Sequence, residues 1–72
     1  MAQYQSALKE HRELAGLSQE ALARKVGVSR QTIVNIEQGR NEPRILLALA
    51  IAAAVGVAVS AIDQLFRKAF VS

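Results

Sequence analysis

The stretch Gln19–Gln38, QEALARKVGVSRQTIVNIEQ, constrains this chain more than any other feature. Gly27 divides two short runs, with Leu22, Ala23 and Val26 apolar in the first and Ile33 and Ile36 in the second. Ser18 and Ser29 stand where the N-cap of each run falls, and a serine oxygen accepts an amide proton that a first helical turn leaves unbonded. Glu20 lies in the first turn after Ser18, at the positive end of the helix dipole. The pattern predicts two helices joined by a three- to four-residue turn and crossing closely at a steep angle. A small side chain, Ala23, permits the close crossing, and Gly27 can take the positive φ of a tight turn. Val28 then plugs the turn into the core, and Ile33 and Ile36 seat the second helix.

The flanking sequence reads as more helix. Tyr4, Leu8, His11, Leu14 and Ala15 recur at three- and four-residue spacing, which predicts an amphipathic helix over roughly 3–15, ended by Gly16. Gly39 closes the third helix, and Arg40-Asn41-Glu42-Pro43 forms a loop whose proline suits the first turn of a fourth helix. That helix runs to about Val55 and stops at Gly56. Ser60 and Asp63 have the spacing of a capping box, so a fifth helix is expected from about 61 toward 66 or beyond. Seventy-two residues hold one small domain, with apolar residues at 51%, many of them alanine, and few β-branched clusters before residue 55. The expectation is one compact all-α domain of five helices, residues 1–72, with 67–72 as a short tail.

Composition removes several function classes. There is no Cys, which excludes disulfides and thiolate metal sites. One His and six acidic residues argue against a metal centre, and no cofactor motif is present. Ser, His and acid residues show no nucleophile–base spacing, and so small a chain leaves little room for a pocket, which argues against an enzyme. The segment Ile45–Ile62 is 18 uncharged residues, the lower limit for a membrane helix. Seven of them are Ala, and Gly56 and Ser60 read as end signals within it, so no membrane span is expected. Met1–Lys9 has no apolar export-signal core, which with the lack of Cys leaves the cytoplasm as the default location.

Charge is unevenly placed. The net charge is +3, and residues 24–44 carry all of it: Arg24, Lys25, Arg30, Arg40 and Arg44 against Glu37 and Glu42. A localised basic patch is the footprint of a polyanion partner. A helical wheel gives its orientation. With Ile33 and Ile36 facing the core, Gln31, Gln38, Asn35 and Val34 face outward, at about 100° per residue. Arg30 lies on the flank, in the first turn, and is long enough to reach forward. These side chains suit groove reading: Gln31 or Asn35 to adenine, Arg30 to guanine, Val34 to a thymine methyl.

The whole pattern resembles the phage-repressor (Cro/repressor-type, XRE) helix-turn-helix family. The likeness covers about residues 6–66 and rests on GLSQEALARKVGVSRQTIVNIEQGRNEP, LALAIAAAVGV and IDQLF. It implies a lambda-repressor-like fold whose second and third helices form the helix-turn-helix, with helix three in the major groove. It implies a sequence-specific regulator of transcription, read as a repressor, on a double-stranded DNA operator. Base reading falls to Arg30, Gln31, Val34 and Asn35. Gln19 is expected on a phosphate, at the free N–H groups that open helix two, where it also braces the recognition side chains. Ser29, Gln38, Arg40 and Asn41 are the other expected phosphate contacts, and Arg44 is a weaker candidate. Arg12 and Glu37 match family positions that pair as ions between helices, which gives Glu37 to the fold and not to DNA. His11, on the apolar stripe, reads as structural.

One departure suggests a partner. Leu46, Ala50, Ala53 and Val57 make an apolar row on the side of helix four expected to face solvent, opposite Leu49 and Ala52. A helix apolar all round is buried on both sides. With Phe66, Phe70 and Val71 beyond it, the row predicts a homodimer through Leu46, Ala50, Ala53, Val57, Phe66 and Phe70, suited to a palindromic operator. No small-molecule effector is evident. The competing readings are an antitoxin-type autoregulator and a protein-interaction module that has lost DNA binding.

Overall fold

The computed structural model describes residues 3–5, 7–66 and 69–71. Their order is β1 (Gln3–Gln5), α1 (Leu8–Leu14), α2 (Gln19–Val26), α3 (Arg30–Glu37), α4 (Ile45–Val55), a 3-10 turn (Val59–Ala61), α5 (Ile62–Leu65) and β2 (Ala69–Val71). The body is helical, as the alanine content and the three- and four-residue spacings predict. Each helix contributes one large, fully buried aliphatic side chain: Leu8, Leu22, Ile33, Ile51 and Leu65. Ala23, Ile36, Ala52 and Val55 complete the buried core, and Val26, Val28 and Leu47 pack against it. A buried leucine or isoleucine is worth roughly 1.5–3 kcal/mol, so these residues hold the helices together.

The helix ends follow their residues. Ser18 Oγ accepts from the Ala21 amide at 3.0 Å, and Ser29 Oγ accepts from the Thr32 amide at 3.2 Å. Gly27 closes α2 at φ +78 and Gly56 closes α4 at φ +77, the left-handed conformation that a side chain disfavours. Because α4 ends there after 11 residues, the long uncharged run never becomes one helix. Among the described residues no helix is long and apolar enough to cross a membrane.

Three expectations are corrected. The helix expected over 3–15 occupies only Leu8–Leu14, because Gln3–Gln5 is a strand. It pairs antiparallel with β2 in the register Gln3↔Val71, Tyr4↔Phe70 and Gln5↔Ala69, so these two segments are extended and not α-helical. Tyr, Phe and Val favour extended backbone, and each short strand supplies the other's ladder partner. Within α1 the buried residues are Leu8 and Arg12, four apart, while Leu14 is 79% exposed. Leu14 lies about 140° round the helix from that pair, which puts it off the buried face that the three- and four-residue spacing predicts for it. The fifth helix is only a single α-turn after a 3-10 turn, and its N-cap is Ala61 rather than Ser60. Among the described residues four helices of at least seven residues, α1 to α4, therefore carry the domain.

Candidate nucleic-acid interface

The inner face of α3 is fixed by Ile33 and Ile36, both buried. The outer face then follows from helix geometry. Arg30, Gln31 and Gln38 are exposed, while Val34 and Asn35 are half-buried. Gln31 Nε2 donates to Asn35 Oδ1 at 3.0 Å, which joins the two amides into one unit. The wheel missed this bond, although residues four apart on a helix are neighbours. At the start of α3 the Ser29 and Thr32 hydroxyls are 2.9 Å apart, so the capping serine is already engaged twice.

The start of α2 lies beside this row. Arg30 Nη2 donates to Gln19 Oε1 at 3.3 Å, and Gln19 Nε2 donates to Glu37 Oε1 at 3.0 Å. Arg12 Nε meets Glu37 Oε2 at 2.6 Å, with both side chains largely buried. Arg12 Nη1 also donates to the Leu17 carbonyl at 2.8 Å. The inter-helix ion pair expected from the resemblance is therefore formed. The resemblance implies that Gln19 braces a recognition side chain, and Arg30 is the one it bonds; the bond from Gln19 to Glu37 has no counterpart in that expectation, because the two are 18 residues apart and only the fold joins them.

The loop after α3 folds back onto it. The Arg40 amide donates to the Asn35 carbonyl at 2.8 Å and the Asn41 amide to the same carbonyl at 3.4 Å, while both side chains are exposed. Between this loop and α4 runs an open groove of about 510 Å³, lined by Thr32, Ile36, Arg40, Asn41, Arg44 and Leu47 among others. Arg24, Lys25, Arg30, Arg40 and Arg44 are all exposed. Glu37 is held by Arg12, so it subtracts little from their field.

A helix-turn-helix family model matches residues 8–67, which spans every helix described above. The chain belongs to the phage-repressor type of helix-turn-helix family. Its members are regulators of transcription that bind DNA, and they are not enzymes. An uncharacterised helix-turn-helix regulator of Methanothermobacter thermautotrophicus is 53% identical over 49 residues, 68% of this chain and 71% of that protein. The DNA-binding domain of the P22 C2 repressor superposes with a TM-score of 0.74 at 26% identity, over 78% of this chain and 75% of that one. The restriction-modification controller C.AhdI of Aeromonas hydrophila gives 0.70 at 32% identity, over 82% and 85%.

In this helix-turn-helix domain the outer side of α4 differs in kind from that of α3. Leu46 is 81% exposed, and Leu49, Ala50 and Ala53 are exposed on the same stripe. Leu49, expected on the core side, is on the outer one; Ile51, Ala52 and Val55 face the core. Ile45 is also exposed. Val57 and Phe66, assigned to a dimer interface from sequence, are half-buried against the protein's own core, which leaves less of them to offer. The Phe70 side chain lies outside the described residues.

Proposed function

We propose that this protein represses transcription by binding a palindromic operator as a homodimer, with α3 in the major groove of each half-site. The observation that carries the reading is the row of hydrogen-bonding side chains on the outer face of α3, whose inner face is locked by Ile33 and Ile36. Arg30 reads guanine, Gln31 and Asn35 read adenine, and Val34 meets a thymine methyl. Gln19, Ser29, Gln38, Arg40 and Asn41 contact phosphates and set the register. The likeness to a phage repressor supports repression, in which the bound protein excludes other proteins from the operator. The apolar stripe of α4, Leu46, Leu49, Ala50 and Ala53, supports a second copy as partner. It is uncharged and so compatible with itself about a two-fold axis.

The test is selection of random duplexes by the purified protein at near-physiological salt. The expected result is an enriched palindrome with half-sites about one helical turn, ~34 Å, apart. Its affinity should fall with salt at a slope near −0.9 per phosphate neutralised. Salt-labile background without a motif would leave the outer face of α3 as an ordinary solvated surface.

A further inference from the structure

The Arg12–Glu37 pair is one end of a longer chain of hydrogen bonds. Arg12 donates to Glu37 from Nε at 2.6 Å and from Nη2 at 3.4 Å. Glu37 Oε1 accepts a third bond, from Gln19 Nε2, and Gln19 Oε1 accepts from Arg30. A carboxylate only accepts and a guanidinium only donates, so the glutamine between them has one workable orientation. Turned over, its carbonyl would face the carboxylate and its NH2 group would face the guanidinium, losing both bonds. The inner end cannot swing to compensate. The Arg12 and Glu37 side chains are 9% and 5% exposed, and Arg12 is further tied to the Leu17 carbonyl.

We infer that Glu37 is a positioning residue for base reading, which acts through Gln19 to hold Arg30 ready for its base. The inference rests on the DNA reading proposed above. An exposed arginine loses rotamer freedom when it docks, and one already tethered by Gln19 has less to lose. The tether is also compatible with the phosphate role of Gln19. Its Nε2 carries two protons; one goes to Glu37, and the second remains for a phosphate while Oε1 holds Arg30. Glu37 therefore has two roles: its ion pair joins α3 to α1, and its spare oxygen lone pairs fix the amide that orients the recognition arginine.

The test is Glu37→Gln, whose side chain keeps the size but offers both a donor and an acceptor, so Gln19 can turn over. Base preference is measured by competition among selected duplexes, well below the variant's melting temperature. Arg30→Ala first marks the base position that Arg30 reads. Glu37→Gln should lower discrimination at that position by about three- to tenfold and leave the positions of Gln31 and Asn35 intact. In a Gln19→Ala background the same change should have no further effect there. A uniform loss at every position, or an unchanged profile, would reduce Glu37 to a structural role. An equal effect with Gln19 absent would overturn the route. If Glu37→Gln does not fold, Gln19→Ala alone decides: discrimination at the Arg30 position must fall beyond any uniform loss. A wild-type protein that selects no sequence removes the DNA reading and this inference together, whereas a selected motif indifferent to these changes removes the inference alone.

Discussion

Helix α3 turns an arginine and three amides outward from Ile33 and Ile36; helix α4 turns Leu46, Leu49, Ala50 and Ala53 outward from Ile51, Ala52 and Val55. The two inner faces are alike, so the difference lies wholly in what each outer face can do. The α3 row can replace the hydrogen bonds that base edges make with water. The α4 stripe has no side-chain hydrogen-bonding group and can gain only by losing contact with water, as it would against another apolar face. The two helices also begin differently: α3 starts on a serine that caps it, and α4 starts on Arg44, whose side chain makes no cap. The buried residues fix which side of each helix is inside. The chemistry of the other side indicates what it meets.

The largest expected effect comes from cutting α3 loose at its end. Glu37→Ala leaves the Arg12 guanidinium, on a residue only 7% exposed, with the Leu17 carbonyl but no counter-charge. Removing one partner of a buried pair costs about 3–5 kcal/mol. For a domain of this size that lowers the melting temperature by more than about 10 °C, read by a thermal melt. A melting temperature unchanged within error would show that the pair does not hold α3 to α1. Leu46→Glu sharpens the contrast from the α4 side. It should barely alter the folded monomer, yet abolish a two-fold contact worth about 1.5–3 kcal/mol per buried leucine. Sedimentation at tens of micromolar should give a dimer for the wild type and a monomer for the variant. A monomeric wild type would break the comparison, since the α4 stripe would then have no second copy to meet.

Gln31→Ala probes the outer face of α3 alone. The residue is exposed and bonded to Asn35, so stability should change by no more than about 0.5 kcal/mol. Discrimination at one base position should fall by about 1–3 kcal/mol, measured by competition between operator variants. Asn35→Ala should disturb the same position, and the two effects should not add, because each residue restrains the other. Independent effects would mean that the amide pair comes apart on DNA.

What could be read from the sequence was local. The α2–turn–α3 unit was legible because Ser18, Ser29, Ala23 and Gly27 each act within a few residues of themselves. The ends were not. Tyr4 falls in phase with Leu8 for a helix, but its backbone pairs with Phe70 at the far end of the chain, and no spacing rule reaches that distance. Ser60 and Asp63 have capping-box spacing, yet a 3-10 turn takes up Ser60 and moves the N-cap to Ala61. The site divides in the same way. The outer face of α3 followed from the wheel and the brace of Gln19 from the resemblance alone, whereas the bond from Gln19 to Glu37 depends on how α2 and α3 cross.

The smallest effect carries the opposite sign, and it returns to the start of α4. Arg44 is the N-cap: its backbone is extended at φ −68 and ψ 163, and its carbonyl accepts from the Ala48 amide at 2.8 Å. A guanidinium has no acceptor to offer the free N–H groups beyond it, and its charge adds to the positive end of the helix dipole. Arg44→Ser gives α4 the cap that Ser18 and Ser29 give their helices. It should stabilise the domain by roughly 0.5–1 kcal/mol, a few degrees in a thermal melt. The same substitution removes an exposed cation from the groove that Arg40 lines. Operator affinity should weaken alike for every sequence, and the salt slope should become shallower by up to about one. A rise in melting temperature with no change in slope would make Arg44 a stability defect without a DNA role. Both changes together would show that stability is given up at the start of α4 for charge facing the operator.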